Sequence, residues 1–312
     1  MKRLTENKLV LITRRTRLDD IIVQFNTLEQ AKFYIENLGG DFSDYQKEDH
    51  NYKKVISHVE SELNHLGKVQ VVERSYVPNF IFGKDDIIVV VGQDGLVANI
   101  LKYLDGQAVV AINPDPVRWD GKLLPFRCTD IDKIIRDLYM GKRDLKEITF
   151  AKAELNNNQV IYGVNDLFIG PKTHVSASYI IEIGSKKEQH SSSGVIISTG
   201  LGSTGWLSSL LAGAKAIVSN DNKSNFTVSK EGGFKWNADL LSYVVREPFP
   251  SGITGTELVF GEISNNNNLV ITSLMAQNGV IFSDGVESDF IEFNSGTKAT
   301  ISIAEKRGYL VV

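Results

Sequence analysis

A glycine-rich stretch, STGLGSTGW, has the residue types of a loop that could bind phosphate groups. From Gly200 onward its glycines follow the G-x-G-x-x-G spacing of dinucleotide-binding loops, between an apolar run that predicts a strand and a run that predicts a helix. Backbone N–H groups and hydroxyls at a helix N-terminus suit phosphate oxygens in any fold. A Rossmann site and a simple helix cap, with Ser203 or Thr204 as the capping hydroxyl, are the alternative interpretations.

Asp94 lies in a second loop, GQDG, directly after a buried apolar run and directly before a predicted helix. A carboxylate at the carboxyl end of a parallel strand lies where α/β proteins bind ligands, and Gly92 and Gly95 would let a phosphate approach the backbone. In the alternative interpretation Asp94 only caps the helix and the glycines form the turn. Neither loop has the P-loop sequence, and the protein-kinase motifs H-R-D and D-F-G do not occur, so any phosphate chemistry belongs to another class.

The elements that must position these loops differ between the two halves of the chain. Residues 1–145 combine an opening strand, a long helix-like polar stretch, the buried run IIVVV, an amphipathic helix that stops at Gly106, and a parallel strand AVVAIN, which together predict an α/β domain. From Ile148 onward short alternating strands are separated by polar turns, so residues 146–312 predict a mostly antiparallel, β-rich domain. One clear helix, after Gly205, interrupts it.

This organisation weighs against a Rossmann site at the glycine-rich stretch. A dinucleotide-binding domain needs a second parallel strand after the helix, with an acidic residue about twenty residues further on. Here the helix is followed by a polar segment and turn-rich strands, and Asp221 and Glu231 fall in or beside loops. The phosphate-binding and helix-capping interpretations stay open.

Composition limits the classes of partner. The net charge is −4, and Lys and Arg are scattered apart from the run RRTR at Arg14–Arg17, so no nucleic-acid partner is indicated. No apolar segment approaches the ~18 residues of a membrane span, and the apolar run near the start is short, so we expect neither a membrane segment nor a signal peptide. Cys128 is the single cysteine, which excludes a multi-cysteine metal site and fits a cytoplasmic protein. The histidines show no metal-binding spacing and are expected in surface or packing positions: His50, His58, His65, His174 and His190.

Four motifs, in order along the chain, make the sequence resemble the NAD kinases. The family's Gly-Gly-Asp-Gly-Thr loop matches GQDGL at Gly92–Leu96, and its Asn-Glu pair matches Asn165 and Asp166. Its Thr-Pro-Thr-Gly-Ser-Thr segment matches TGLGST at Thr199–Thr204, and a late Asp-Gly pair matches Asp284 and the glycine after it. The segments INPDPVRWDGKLLPFRC, NDLFIGPKTHVSASYIIEI and VREPFPS are similar to the mitochondrial-type branch.

The likeness extends from about Asp85 to Glu287, whereas residues from about Asp20 to Glu73 match no motif of the family. The resemblance implies an α/β domain followed by a β-rich domain, a homodimer or higher homo-oligomer, and a ligand cleft between the domains. It also implies phosphoryl transfer from ATP, or polyphosphate, to the adenosine 2′-hydroxyl of NAD, which gives NADP. Mg²⁺ would accompany the ATP phosphates, with no metal ligands of the protein's own.

The resemblance also assigns roles to residues. A secondary hydroxyl is a poor nucleophile, so a carboxylate that orients it and accepts its proton is needed, and Asp94 is the candidate catalytic residue. Asn165 and Asp166 would hold polar groups of NAD, and the Thr199–Thr204 loop would contact the adenosine or the phosphates, so that these residues and Asp94 line the cleft. The implied nucleotide-binding set is Gly92, Gln93, Gly95, Asn113, Asn165, Asp166, Thr199, Gly202, Ser203, Thr204 and Asp284.

Departures from the family pattern concentrate on the phosphoryl-donor loop. Gln93 stands where the family has glycine, and Leu96 where it has threonine; Asp166 is one methylene shorter than glutamate, and Leu201 replaces a hydroxyl residue. Acceptor binding therefore matches better than donor binding. Three hypotheses stay open: an active NAD kinase, a homologue that binds a nucleotide without transferring phosphate, and a kinase for another hydroxyl substrate such as a lipid or sugar. The lipid version is disfavoured because NDLFIG and STGLGSTGW follow the NAD-kinase pattern.

Overall fold

The computed structural model describes residues 4–220, 233–287 and 289–312. Asp221 and Glu231 lie outside the described residues. The chain divides into two compact units, one formed by Met1–Lys146 with Tyr309–Val312 and the other by Glu147–Gly308.

The first unit is built on a parallel sheet with the strand order β2-β1-β3-β4. These strands are β1 (Lys8–Thr13), β2 (Lys68–Glu73), β3 (Ile87–Val91) and β4 (Ala108–Ile112). The chain end adds to it, since Tyr309 and Leu310 pair parallel with β4. All five residues of β3 are buried, as expected for a continuous β-branched run in a parallel sheet that is covered on both faces.

The described part of the first unit has five α-helices: α1 (Arg17–Phe25), α2 (Leu28–Asn37), α3 (Phe42–Leu66), α4 (Asp94–Leu101) and α5 (Ile131–Tyr139). Thr16 begins α1 with a capping box that includes Asp19. The C-terminal half of α3 packs Val59, Leu63 and Leu66 into the same apolar core as the β1 and β3 side chains. The sequence prediction of a long helix-like stretch after β1 is confirmed.

The helix after the GQDG loop differs from its prediction. It ends at Leu101 rather than at Gly106, and its residues from Leu96 to Leu101 are all buried, so it is not amphipathic. Core packs around most of the helix, and its apolar residues therefore do not form a single stripe. Gly106 instead forms the turn before β4, with φ of +91°.

The second unit is antiparallel in its described residues. A six-stranded sheet has the order β12-β11-β10-β7-β14-β15. Its strands are β7 (Asp166–Pro171), β10 (Val195–Ser198), β11 (Leu241–Val245), β12 (Phe260–Ile263), β14 (Gly279–Ser283) and β15 (Phe290–Glu292). The remaining strands pair as β5–β6, β8–β9, β8–β13 and β13–β16. They are β5 (Leu145–Leu155), β6 (Val160–Gly163), β8 (Ala177–Ile183), β9 (Lys186–Ser192), β13 (Leu269–Ser273) and β16 (Lys298–Val311).

Alternating side chains of these strands form one large apolar core, to which Leu167, Tyr179, Ile197, Ile271 and Phe293 belong. Helix α6 (Trp206–Asn220) follows β10 and packs Trp206 and Leu210 into a smaller cluster with Phe168 and Val280. The predicted fold class, an α/β region followed by an antiparallel, β-rich region, is confirmed. Within the described ranges, no helix has the length and apolar character that crossing a membrane requires.

Candidate functional site

In the second unit, the residues of two predicted motifs meet where β6 passes into β7. The Thr199 amide donates to the carbonyl of Asn165 at 2.9 Å, and the Thr199 hydroxyl donates to the carbonyl of Val164 at 2.6 Å. The amide of Gly202 in turn donates to the Thr199 hydroxyl at 3.2 Å. We call Asn165, Asp166, Thr199, Gly202 and Asp284 the acceptor cluster, after the binding of the phosphoryl acceptor that the sequence resemblance predicts for them.

Close backbone packing explains two glycines of the GLGSTG stretch. A Cβ atom at Gly202 would overlap the carbonyl of Asn165 and lie 2.8 Å from Oδ1 of Asp166, and one at Gly200 would overlap the carbonyl of Lys235. Only glycine fits such approaches. The fingerprint spacing therefore reflects contacts inside the protein. The Rossmann interpretation is wrong, because β10 pairs antiparallel with both neighbours, β7 and β11.

Asp284 fixes the backbone that carries Asn165 and Asp166. Its Oδ1 accepts from the amides of Val164 at 3.0 Å, Asn165 at 2.6 Å and Asp166 at 3.3 Å. Asp284 has φ of +54°, a left-handed conformation that aspartate tolerates in turns. The Asp284 carboxylate thus holds the backbone of Asn165 and Asp166 in place.

Asp166 is the unusual carboxyl of this cluster. Its pKa is raised to about 7, mainly by burial; a hydrogen bond with Ser198 lowers the pKa and the nearby Asp284 charge raises it. Its Oδ1 atom is buried and has no hydrogen-bond partner among the described residues. A buried carboxyl with an unused oxygen can accept or donate a hydrogen bond to a ligand, depending on its protonation.

The hydroxyl residues of the same loop have different surroundings. Ser203 is buried; its hydroxyl donates to the carbonyl of Gly200 at 2.7 Å and accepts from the amide of Phe234 at 3.0 Å. Ser203 therefore closes the loop onto the segment after residue 232, and the prediction that it caps α6 is wrong. Thr204 is exposed.

In the first unit, Asp94 is the first residue of α4, and the capping position belongs to Gln93, whose side chain makes no capping hydrogen bond. The interpretation of Asp94 as the helix cap is therefore wrong. Its Oδ1 instead accepts from the amide of Leu123 at 2.7 Å. This bond fixes the carboxylate between the GQDG loop and the chain that follows β4.

Leu96 gives the GQDG loop its local shape. A Cβ atom at Gly92 would lie 2.6 Å from Cδ2 of Leu96, whose side chain is buried. The leucine that replaces the family's threonine thus lies against the Gly92 backbone. Gly95 is exposed, and a Cβ there would meet nothing within 4 Å, so the space beside its Cα atom is open.

Asn113 organises the loop that supplies the Leu123 amide. Its side-chain amide donates to the carbonyl of Trp119 at 3.0 Å, and its Oδ1 accepts from the amide of Asp115 at 3.0 Å. Gly121, with φ of +64°, lies too close to this side chain to carry a Cβ. These contacts give Asn113 a role in holding the loop against Asp94, in addition to its predicted nucleotide contact.

Sequence motifs identified the side chains of both groups but missed their backbone partners. The backbone amide of Leu123 donates to Asp94 and that of Phe234 donates to Ser203, while the carbonyl of Lys235 packs against Gly200. Such backbone groups cannot be recognised from the type of the residue. Gly121, in WDGKLL, is the one signal that could have indicated the tight loop.

Among the described residues, no group of three or more His, Cys, Asp or Glu side chains could hold a metal ion. His190 is fully buried, with its Nε2 2.6 Å from Glu188 Oε2.

A cavity of about 810 Å³ also lies in the second unit. Phe168, Trp206, Phe282 and Phe290 contribute aromatic surface to it, and Lys172 and Arg246 contribute positive charge. None of the predicted site residues lines this cavity.

No family model and no curated protein sequence matches this chain. Two solved structures are similar along nearly all of it. Yeast NADH kinase complexed with NADH aligns with a TM-score of 0.61 and 15% identity over 99% of this chain and 84% of the kinase. An NAD kinase from Archaeoglobus fulgidus in complex with ATP aligns with a TM-score of 0.56 and 13% identity over 97% of this chain and 92% of that one. At these identities the likeness shows the fold, and the chain therefore has the two-domain fold of the NAD and NADH kinases.

Proposed function

We propose that the protein is an NAD kinase-like phosphotransferase that moves a phosphoryl group from ATP, or polyphosphate, to the adenosine 2′-hydroxyl of NAD and forms NADP. The observation that carries the proposal is the acceptor cluster, in which hydrogen bonds to backbone groups hold the predicted ligand residues around a buried carboxyl with an unused oxygen. Support also comes from the shared fold, since one similar structure holds NADH and another holds ATP.

On the acceptor side, Asn165 and Asp166 would hold hydroxyl and amide groups of NAD. With a pKa of about 7, the Asp166 carboxyl is present in both protonation states near neutral pH, so it can pair with either a donor or an acceptor on the ligand. The exposed Thr204 hydroxyl and the backbone of the same loop are available to phosphate oxygens.

On the donor side, Asp94 would orient the attacking hydroxyl and accept its proton. The Leu123 amide holds Oδ1, so Oδ2 is the atom proposed to take the proton. The backbone beside the open space at Gly95 would approach the phosphates, and Mg²⁺ would arrive with the ATP phosphates and neutralise their charge. It is part of the proposal that Asp94 and the acceptor cluster serve one substrate.

The deciding experiment incubates purified protein with NAD and Mg²⁺, and with either ATP or polyphosphate, and measures NADP. NADH is tested beside NAD as acceptor. NADP formation that depends on the donor is the expected result. A protein that binds NAD and forms no NADP with any donor would instead be a nucleotide-binding homologue. Leu96 favours this second candidate, because it covers the Gly92 backbone that would otherwise face a donor.

We predict that NAD stabilises the protein whether or not it is an active kinase. Ligand at about 100 times its dissociation constant should add about 2.7 kcal/mol to the free energy of unfolding, measured by chemical unfolding with and without NAD. Gly202→Ala should abolish this increment, because the added methyl group overlaps Asn165. Gly213→Ala is the matched control, since a Cβ there meets nothing within 4 Å. No stabilisation of the unmodified protein at millimolar NAD would contradict the nucleotide proposal.

The donor loop gives a second prediction. Gln93→Gly should raise NADP formation with ATP several-fold, because glycine removes a side chain beside the phosphates and serves well as a helix-capping residue. Adding Leu96→Thr restores the family's hydroxyl but removes a buried side chain, which costs on the order of 2 kcal/mol of unfolding free energy. Initial rates at varied ATP concentration measure the effect. A lower rate in the well-folded Gln93→Gly variant would mean that the loop serves another donor or substrate.

Homo-oligomerisation and a cytoplasmic location also belong to the proposal, because both rest on the sequence resemblance and composition. Light scattering coupled to size-exclusion chromatography tests the first, with a dimer or larger assembly as the expected result.

A further inference from the structure

Helix α3 (Phe42–Leu66) belongs to the segment, from about Asp20 to Glu73, that matches no sequence motif of the family. Asp44, Glu48 and Tyr52 follow one another at intervals of four residues, so they lie on one face of this helix. Each of the three residues contacts backbone or side chains at or just after the carboxyl end of β1, β3 or β4. We call these three residues the α3 clamp.

Tyr52 lies between the ends of β1 and β3. Its hydroxyl accepts from the amide of Arg14 at 2.9 Å and donates to the carbonyl of Val91 at 2.9 Å. The two strands are paired in parallel as far as Ile12 and Val90. One more step of pairing would place a direct bond between the Arg14 amide and the Val91 carbonyl. The Tyr52 hydroxyl takes the place of that bond, so the strands separate where the GQDG loop begins.

The Tyr52 hydroxyl is well suited to a permanent position between two backbone groups. The residue is 5% exposed, and burial raises its pKa to about 12, so the hydroxyl keeps its proton and remains a donor to Val91. The Arg14 guanidinium carbon also lies 5.0 Å from the centre of its ring.

Glu48 and Asp44 bind arginine side chains from the segments that follow β1 and β4. Buried Glu48 accepts from Arg14 at 3.0 Å and from Nε of Arg17, which brings in the RRTR run after β1. Asp44 accepts from Arg17 at 2.8 Å and from Arg118 at 3.0 Å. These hydrogen bonds, first from Arg118 and then from Arg17, hold the pKa of Asp44 well below its usual range.

Arg118 connects the clamp to the carboxylate proposed for catalysis. It belongs to the loop after β4, and the same loop donates the Leu123 amide to Asp94. The network of Arg14, Arg17 and Arg118 is balanced by Glu48, Asp44 and Asp115. Two of the three arginines of the RRTR run, Arg14 and Arg17, therefore form ion pairs within the protein.

We propose that the α3 clamp positions the GQDG loop for the phosphoryl donor, with Tyr52 as a positioning residue that acts through Val91 on Gly92 and Asp94. The inference rests on the proposed function for the identity of the ligand, but its structural part can be measured without any turnover. It gives a role to a segment that matches no sequence motif of the family. The clamp holds in place the GQDG loop, in which Gln93 and Leu96 stand where the family has glycine and threonine.

The first test compares Tyr52→Phe with Tyr45→Phe, which removes a hydroxyl from the same helix at a ring that stacks on Arg17. Hydrogen exchange is measured at the amides of Gly92, Leu96 and Val97, which are hydrogen-bonded in the folded loop. Tyr52→Phe should speed their exchange by about tenfold or more, whereas Tyr45→Phe and the amides of β7 and β10 should show no change. Unchanged exchange at the three amides in a folded Tyr52→Phe protein would overturn the proposal.

The second test separates positioning from a general loss of stability. In Tyr52→Phe the KM for ATP should rise about tenfold, while the dissociation constant for NAD stays within about twofold. A purely structural role would lower the folded fraction and the apparent kcat and leave both constants unchanged, which would also overturn the proposal. Glu48→Gln is the second variant and should change the same constants in the same direction. If the unmodified protein forms no NADP, the proposed function fails, and the exchange experiment still decides whether Tyr52 controls the loop.

Discussion

Replacing Asp94 by asparagine is expected to lower the turnover of NADP formation by about 10²-fold or more. An amide cannot accept the proton of the attacking hydroxyl, whereas its oxygen can still accept the hydrogen bond from the Leu123 amide at the position that Oδ1 now occupies. The loop should therefore keep its shape. NAD affinity, measured by the same unfolding assay as for the unmodified protein, should stay within a few-fold.

Asp132→Asn is the matched control for this variant. Asp132 lies in the first turn of α5, as Asp94 lies in the first turn of α4, so both changes remove one negative charge near a helix N-terminus. Asp132 pairs with Arg136 on the helix surface, and its loss should leave turnover unchanged. Near-normal turnover in a well-folded Asp94→Asn protein would remove Asp94 from the mechanism and leave it a loop-fixing role through Leu123.

Elements with a strong apolar pattern could be predicted from the sequence. The run IIVVV predicts β3, because a strand that is buried on both faces is apolar throughout. The alternating apolar and polar residues after Ile148 predict the antiparallel strands, because such strands bury one face. β2 and β9 were not predicted. β2 lies at the edge of its sheet and is mostly exposed, and β9 has the polar sequence KKEQHSS, although all seven of its residues pair with β8. Such strands form because they pair with a neighbouring strand, and local residue propensities carry no information about that pairing.

The candidate site divides in the same way. Motifs at Asn165, Thr199 and Asp284 pointed to side chains that the fold brings into one cluster, but their assigned ligand contacts stay predictions. The sequence predicted α3 as a helix without indicating what its polar face would contact. In the sequence, Glu48 and Tyr52 are ordinary residues of a polar helix, and their proposed role depends on contacts with strand ends about forty residues away in the chain. Contacts of this kind are set by tertiary packing and leave no local pattern.

The contribution of Asp166 to the stability of the protein should fall as the pH rises from about 4 to about 7. The pKa of its carboxyl is about 7 in the folded protein, against a usual value of 3.8. A raised folded-state pKa means that the folded protein binds the proton more tightly than the unfolded chain does. The stabilisation is therefore complete below pH 3.8 and is lost as the pH rises through 7. A difference of about three pKa units corresponds to a loss of up to about 4 kcal/mol, before the contributions of other groups.

Asp166→Asn should remove this dependence, because an amide has the shape of the protonated acid and no charge to bury. The variant should be more stable than the unmodified protein at pH 8, and the two should be similar at pH 4. Urea unfolding at both pH values measures the difference. Asp239→Asn is the control from the same unit, since Asp239 is 64% exposed and pairs with Arg307, and it should leave the pH dependence unchanged. An Asp166→Asn protein that loses stability equally at both pH values would contradict the raised pKa, because the effect of the substitution would then not depend on the charge of the carboxyl.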